Sequence, residues 1–188
     1  MPGISSLQGT ISDTIGWSAS NNITAQQPMV QGDAVSTSYA FGTANVNGAV
    51  GGADEIVSFL QTIAAGGSAV LDLQSITNIL QQSGIALVRL KGYKIRLLTS
   101  GNTGAVDSVN GTLCSSISVG NAPSNGNPLE MDAVANTYTI KNGGSHQHFD
   151  PSAAGFVAVS PSTKNVLITN NDGAVAAAVQ VTLIGATT

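Results

Sequence analysis

The sequence is poor in charge, in aromatic residues and in cysteine. Charged residues make up 9% and aromatic residues 4% of its 188 residues, whereas about 25% of an ordinary soluble domain is charged. Surface charge keeps copies of a protein apart, so a chain with little of it is suited to packing against neighbours. The composition therefore indicates a protein that assembles with copies of itself.

The same scarcities argue against other classes. A net charge of -4 with only 6 Lys and Arg residues does not suit nucleic-acid binding, which needs a basic surface. No run approaches the ~20 apolar residues that span a membrane, and residues 1–5 lack the basic and apolar regions of a signal peptide. We expect a protein made in a host cytoplasm, with no membrane partner, no nucleic-acid partner and no cofactor.

The single cysteine, Cys114, lies in a strand-like run at residues 113–119. One cysteine cannot form an intrachain disulfide. We interpret it as a small buried apolar residue, with a reactive thiol as the alternative.

Residues 51–188 are predicted to form the body of the protein. Their alternation of short apolar runs with turn signals is typical of an antiparallel β-sandwich or jelly roll, so the fold class is all-β. Asn-Gly steps favour tight turns, and they begin at Asn47, Asn110, Asn125 and Asn142. The expected strands are residues 55–62, 68–73, 86–100, 111–119, 136–141, 155–160, 165–169 and 175–185. Only residues 72–84 have helix-like spacing, which predicts one short helix or turn.

Residues 1–50 are rich in small polar residues, and their apolar residues show no sustained period. Isolated apolar residues cannot bury one another locally, so we expect an extended N-terminal arm that a neighbouring copy holds in place. The predicted anchors are Ile11, Ile15 and Trp17, each of which contributes about 1.5–3 kcal/mol when fully buried.

Four of the 6 basic residues lie close together around Gly92. The apolar residues before and after Gly92 have opposite parity, so strict strand alternation fails there. One extra residue, inserted as a β-bulge, restores a single apolar face and places Arg89, Lys91, Lys94 and Arg96 on the opposite one. The apolar face then consists of Val88, Leu90, Tyr93, Ile95 and Leu97. The basic ladder is either a solvated face that deters edge pairing or a contact with an acidic partner surface.

Four stretches combine predicted strands with turn signals: residues 65–73, 89–101, 165–171 and 179–185. In these the chain resembles structural proteins of phage and virus particles whose body is a jelly roll or a related β-sandwich. The resemblance implies a virion component, such as a capsid, decoration, head or spike protein, whose partners are copies of itself and other virion proteins. A glycan- or receptor-binding module, as in tail fibres, is the alternative.

The sequence has no motif of an enzyme. A nucleophile elbow, a phosphate-binding loop with lysine and a His-Glu-X-X-His helix are all missing from it. Glu130 and Asp132 are a possible carboxylate pair for glycoside hydrolysis, but few aromatic residues are present to form a sugar platform. We therefore predict a protein that is not an enzyme.

The weak candidates for metal ligands are His146, His148 and Asp150, which share one face if the segment is extended. Two imidazoles and a carboxylate can bind zinc or iron, and the His-Gln-His order is similar to the paired His-X-His strands that bind iron at phage spike tips. The alternative is a polar loop after Asn142 in which the histidines hydrogen-bond to backbone or water. One chain adds no third histidine or nearby cysteine, so we predict no metal site.

Elemental analysis of the purified protein is accordingly expected to find less than one transition metal per chain. Stoichiometric zinc or iron that disappears in the His146→Ala/His148→Ala variant would contradict this prediction and would favour a spike.

Overall fold

The computed structural model describes residues 8–21, 29–42, 53, 55–77, 83–98, 113–129, 136–150, 152 and 155–187. This part of the chain is all-β, as the sequence predicts, and contains no helix, so it also contains none that is long and apolar enough to cross a membrane. Its strands are β1 (Gln8–Asn21), β2 (Met29–Gly42), β3 (Glu55–Ile63), β4 (Ser68–Asp72), β5 (Arg89–Leu97), β6 (Ser116–Asn121), β7 (Thr137–Lys141), β8 (Ser145–Phe149), β9 (Val157–Ala158), β10 (Asn165–Asn170) and β11 (Ala177–Ala186).

The first two strands form a two-stranded antiparallel sheet, here called the N-terminal ribbon. Each strand has 14 residues, and the pairing runs unbroken from Gln8 opposite Gly42 to Asn21 opposite Met29. Alternation along a strand places the odd-numbered residues of both strands on one face. Ile11, Ile15 and Trp17 belong to this face, and the residues opposite them are Tyr39, Val35 and Asp33. The sequence pattern does not predict these two strands, and the role of the segment as an inter-subunit arm stays a prediction.

The remaining strands form the body, which is a jelly roll. Eight body strands remain when the short β9 is left out, and they can be counted from one to eight along the chain. The first, eighth, third and sixth of them form one sheet, in the order β3-β11-β5-β8. The second, seventh, fourth and fifth form the other sheet, in the order β4-β10-β6-β7. All of these neighbours are antiparallel. This order is that of a long two-stranded ribbon, with β6 and β7 at its tip, wrapped around a core, which is the arrangement of a jelly roll.

The core lies between the two sheets. Val57, Ile95 and Val181 from the five-stranded sheet, which includes β9, belong to one buried cluster with Ile117 and Ile168 from the four-stranded sheet. Four of these residues, Val57, Ile95, Val181 and Ile168, lie between exposed or half-buried neighbours along their strands, as expected when a strand buries one face. The hydrophobic effect, about 25 cal/mol per Å² of buried apolar surface, thus holds the two sheets together.

Two of the four Asn-Gly steps lie in the described residues, and both are turns. Asn125 has a positive φ of 50°, and Gly143 has a φ of 72°. The steps at Asn47 and Asn110 lie outside the described residues. In the segment predicted as a helix or turn, residues 73–74 form a turn, and Ile76 then pairs with Ile85 as an isolated bridge.

The expected strands agree with observed ones, and the structure adds strands that were not expected. The predicted strand at residues 111–119 begins later, at Ser116, and the one at residues 155–160 shrinks to β9. The strands missed are β1, β2 and β8. Strand β8 contains His146 and His148, so the interpretation of this segment as a loop is wrong.

Strand β5 contains the β-bulge predicted from the parity change at Gly92. Ile184 of β11 lies opposite Gly92, but the next residue, Gly185, lies opposite Leu90, which leaves Lys91 as the extra residue. The apolar residues of β5 are then all buried: they are Leu90, Tyr93, Ile95 and Leu97. Val88 precedes the strand and is half-buried.

Phe149 explains why a glycine occupies the bulge. Gly92 lies opposite Phe149 of β8, and a Cβ added to Gly92 would lie 2.4 Å from Cδ1 of that ring. Any side chain there must displace the ring from β5.

The variant Gly92→Ala is therefore expected to lower the free energy of unfolding by about 1–3 kcal/mol, the usual cost of overpacking. Gly173→Ala is the matched control, because a Cβ at Gly173 meets nothing within 4 Å. Urea denaturation of both variants measures the difference. Equal stability of the two, or an undiminished loss when Gly92→Ala is combined with Phe149→Ala, contradicts the role given to the ring.

Candidate functional site

On two sides of the body an edge strand of one sheet lies next to an edge strand of the other. The contacts between the two edge strands differ from one side to the other. Strands β8 and β7 are the edge strands on one side, and β3 and β4 are the edge strands on the other. We call these the closed side and the open side. Edge strands carry backbone groups that can pair with another chain, so each side is a candidate for contact with a partner.

Aromatic rings join the sheets on the closed side. The ring of Tyr138 on β7 stacks on the imidazole of His146 on β8, with ring centroids 4.0 Å apart. His146 Nδ1 lies 3.0 Å from the hydroxyl oxygen of Tyr93 on β5, at hydrogen-bond distance. Because Tyr138 and His146 belong to different sheets, this stack ties the two edges together.

Two of the weak candidates for metal ligands, His146 and His148, are thus placed in packing contacts. His146 and His148 lie opposite Ile95 and Tyr93 on the core-facing side of the sheet, and the ring of His148 meets Phe156 edge-on, with centroids 4.9 Å apart. Asp150 follows the strand and accepts a hydrogen bond from the backbone N–H of Ser152 at 2.8 Å. In the described part of the chain no three His, Cys, Asp or Glu side chains are grouped so that they could hold a metal ion.

A groove of about 380 Å³, lined by both apolar and polar residues, lies on the open side, between β3 and β4. Phe59 of β3 forms one wall, and Val70 and Leu71 of β4 form the other. The remaining lining residues are Asp72, Ser75, Ile76 and Thr77. Phe59 and Leu71 pack against the hydrophobic core and also line the groove, so part of the core is exposed to solvent there.

Each edge strand also carries one exposed large apolar residue on its outer face. Leu60 on β3 is 47% exposed and Val70 on β4 is 57% exposed, and they are the exposed large apolar residues of the described chain. Residues 56–71, which contain nearly all of both strands, include no charged residue and no proline. Natural edge strands are usually protected by lysine, proline, bulges or short length. Strand β3 has nine residues and none of these protections.

A buried polar network fixes the end of the open side where β3 turns into β4. The side-chain amide of Asn170 donates to the carbonyl oxygens of Ala64 at 3.0 Å and Val175 at 2.7 Å. The backbone N–H of Gly66, which has a φ of 64°, donates to the carbonyl oxygen of Asp172 at 2.7 Å. These bonds anchor the turn at residues 64–67 to the opposite end of the chain and so set the separation of the two edges.

An ion pair lies at the other end of β4. Lys164 Nζ donates to Asp72 Oδ2 at 2.6 Å, with both side chains partly exposed. Burial by itself raises the pKa of Asp72, but the hydrogen bonds from Lys164 and from the backbone N–H of Gln74, together with the charge of Lys164, hold it below its ordinary value. The one carboxylate in the groove is therefore neutralised within its own chain.

Cys114 is buried, as its sequence context predicts. Its thiol donates to Asn170 Oδ1 at 3.1 Å, so the cysteine belongs to the network that anchors the β3–β4 turn. Burial raises the pKa of the Cys114 thiol. A buried thiol with a raised pKa is a poor nucleophile, which favours the structural interpretation over a reactive one.

The basic ladder is only partly exposed. Lys94 and Arg96 are exposed and Arg89 is half-buried, but the side chain of Lys91 is fully buried, with 0% exposure. The ammonium of Lys91 donates to the carbonyl oxygen of Ser152, in the segment that follows β8. Burial lowers the pKa of Lys91, the charge of Arg89 lowers it further, and the charge of Asp150 partly offsets both. The Lys91 side chain is therefore not on an exposed face with Lys94 and Arg96, because the bulge turns it toward Ser152 and Gly155.

Sequence reasoning missed the open side. The pattern predicts strands at residues 55–62 and 68–73 but singles out none of Phe59, Leu60 and Val70, and the visible signal is the uncharged run at residues 56–71. The ribbon residues Ile11, Ile15 and Trp17 lie on β1, and their role as assembly anchors stays a prediction.

A scan against protein-family models returns no match for this chain, and a search of curated protein sequences returns none either.

Different roles for Lys91 and Lys94 predict different effects of the same substitution. Lys91→Ala is expected to lower the free energy of unfolding by about 1–3 kcal/mol, because it leaves the carbonyl of Ser152 without this donor and opens a gap beside Ser152 and Gly155. Lys94→Ala is expected to change it by no more than about 0.5 kcal/mol. Urea denaturation of the two variants tests this, and equal losses contradict the assignment of Lys91 to the interior.

Proposed function

We propose that the protein is a structural component of a virus particle, without enzymatic activity, and that it works by assembling with copies of itself. Its partners are other copies and other virion proteins, and its location is the virion. The jelly roll supports this proposal because that fold is used by viral capsid domains. The fold is also used by lectins, so it cannot carry the proposal alone.

The observation that carries the proposal is the open side of the body. A soluble monomer usually protects its sheet edges, because an exposed apolar edge recruits other chains. Here a nine-residue edge strand, a groove lined in part by Phe59 and Leu71, and the exposed side chains of Leu60 and Val70 lie together. This is the surface expected of a subunit whose edge is covered in an assembly.

The low charge of the chain supports the same conclusion. Charged residues are 9% of the sequence, so electrostatic repulsion between copies is weak. The ribbon adds a second element suited to contacts between copies, because its strands pair only with each other among the described strands. Ile11, Ile15 and Trp17 share one of its faces, which makes that face a candidate for burial against a neighbour.

Glycan or receptor binding is the competing function, and no observation specifically favours it. Sugar sites commonly use an exposed aromatic ring as a platform. The aromatic residues that the structure describes in the body are buried or half-buried: Phe59, Tyr93, Tyr138, Phe149 and Phe156.

Purified full-length protein is expected to form closed shells, rings or tubes. Size-exclusion chromatography with light scattering gives the mass of the assembly, and negative-stain electron microscopy gives its shape. Deletion of residues 1–50 removes the ribbon and none of the body's strands. The truncated protein is expected to be β-rich by circular dichroism and to melt cooperatively, but not to form the large assembly.

Two results would count against this account. A full-length protein that stays monomeric or trimeric at every concentration and binds glycans on an array contradicts the assembly function. A truncated protein that assembles as well as the full chain removes the ribbon from the mechanism.

A further inference from the structure

We propose that the N-terminal ribbon of one copy packs face to face on the outer surface of the five-stranded sheet of a second copy, with Asp13 and Asp33 beside Lys94 and Arg96. This inference rests on the proposed assembly function and deepens it by naming the surface on which the ribbon lies. That surface is the side of β3, β11, β5 and β8 that points away from the core. We call it the basic face.

One face of the ribbon needs a cover. Its odd-numbered positions hold most of the apolar residues of both strands: Ile11, Ile15, Trp17, Met29, Val35, Tyr39 and Phe41. The even-numbered positions hold mostly Ser, Thr, Gly and Ala. An isolated pair of strands is only marginally stable in water, and packing against another surface stabilises it. The odd-numbered face also holds Asp13 and Asp33, and a carboxylate that is removed from water needs a cation beside it. The covering surface must therefore be partly apolar and positively charged.

The charges of the chain are divided between ribbon and body as such a contact requires. Residues 1–50 contain two Asp residues and no Lys, Arg, His or Glu, and all 6 Lys and Arg residues lie in the body. Within the body, Lys91 is buried and Lys164 is paired with Asp72. Lys94 and Arg96 are exposed, and among the described residues neither has an ion-pair partner. These two cations are thus available to a partner.

The basic face combines these cations with apolar surface. Arg96 lies opposite Gln180 of β11, which lies opposite Leu60 of β3, so the three residues form one row across the sheet. Leu60 is 47% exposed, and Lys94 lies two residues from Arg96 on the same side of the strand. No Asp or Glu occupies an outward position of this sheet in its described strands. The other exposed cation of the described body, Lys141, lies on β7 in the other sheet. The basic face is therefore the described surface that matches the needs of the ribbon.

The spacing of the charges suits face-to-face packing. Asp13 lies opposite Thr37 and Asp33 lies opposite Trp17, so the two Asp residues are four positions apart along the ribbon. This corresponds to about 13 Å, and Lys94 and Arg96 are about 7 Å apart along β5. Packed sheets lie about 10 Å apart. The long, flexible stems of lysine and arginine can cross that gap and cover the difference in spacing.

The ribbon on the basic face belongs to a second copy. Leu60, Lys94 and Arg96 are exposed in a chain that carries its own ribbon, so that ribbon leaves them uncovered. A contact between the ribbon of one copy and the body of the next is head-to-tail, and such contacts close into rings or continue as helical filaments. One repeated contact thus produces an assembly of many copies.

Charge reversal followed by mixing tests the contact in the full-length protein. The variant Lys94→Glu/Arg96→Glu has an acidic face and an acidic ribbon, and Asp13→Lys/Asp33→Lys has a basic face and a basic ribbon. In each variant alone the dissociation constant of the assembly, measured by sedimentation velocity, is expected to rise roughly tenfold or more, because like charges face each other. An equimolar mixture of the two is expected to assemble again, since each ribbon then meets a face of opposite charge. Circular dichroism checks that both variants fold, and Lys141→Glu is the matched control, expected to assemble like the wild type.

Cross-linking with a carbodiimide locates the contact. The reagent joins a lysine amine to a neighbouring carboxylate as an amide, so Lys94 is expected to link to Asp13 or Asp33, and Lys141 to neither. The linked peptides are identified by mass spectrometry. In a mixture of isotope-labelled and unlabelled protein, linked peptides that contain one partner of each kind show that the two residues belong to different copies.

The outcomes separate this inference from the proposed function. Wild-type protein that assembles, while the mixed variants do not and Lys94 links to neither Asp13 nor Asp33, overturns the contact and leaves the assembly function intact. Rescue in a single chain that carries all four substitutions, without rescue by mixing, places the ribbon on its own body and also overturns the proposal. Wild-type protein that remains monomeric overturns both proposals.

Discussion

The edges of the two sheets are the constraint on which the rest of the structure depends. A two-layer sandwich has four edge strands, and each carries backbone groups that pair with any strand that reaches them. On the closed side the stack of Tyr138 on His146, with Tyr93 at hydrogen-bond distance, joins the two edges within one chain. On the open side the edges are held apart, and the core residues Phe59 and Leu71 reach the surface between them.

The separation on the open side follows from the way the chain is wound. Strands β3 and β4 are consecutive but belong to different sheets, so the turn at residues 64–67 must cross from one layer to the other. The Asn170 side chain holds this turn to the loop before β11, and Cys114 supports Asn170 from the four-stranded sheet. A crossing turn fixed by buried hydrogen bonds cannot relax to let β3 and β4 close on each other. The open edge is thus built into the described part of the fold.

The sequence predicts the features that depend on local pattern. Alternating apolar runs predict the body strands, and the change of parity at Gly92 predicts the bulge, because both follow from the period of a strand. Strand β8 could not be predicted in this way, since Ser145–Phe149 contains only one apolar residue and becomes a strand through pairing with β5. Burial of Lys91 likewise depends on contacts with Ser152 and Gly155, which are distant in sequence.

Other features were visible in the sequence but could not be interpreted from it. The spacing of Ile11, Ile15 and Trp17 fits a period of two, but Asp13 interrupts it, and only the register with β2 shows that these residues share a face. The uncharged run at residues 56–71 has no particular meaning until the order of strands places both of its halves at sheet edges. Strand order depends on contacts between distant segments, so the candidate site emerges only with the fold.

Hydrogen exchange of the backbone amides in β3 and β4 tests the central claim most directly. The account predicts that peptides covering residues 55–63 and 68–72 exchange slowly in the assembled protein and much faster after dilution below the dissociation constant, while peptides from β7 change little. Equal exchange of the β3 and β4 peptides in the assembled and dilute protein would show that the open side stays uncovered, and would contradict the account.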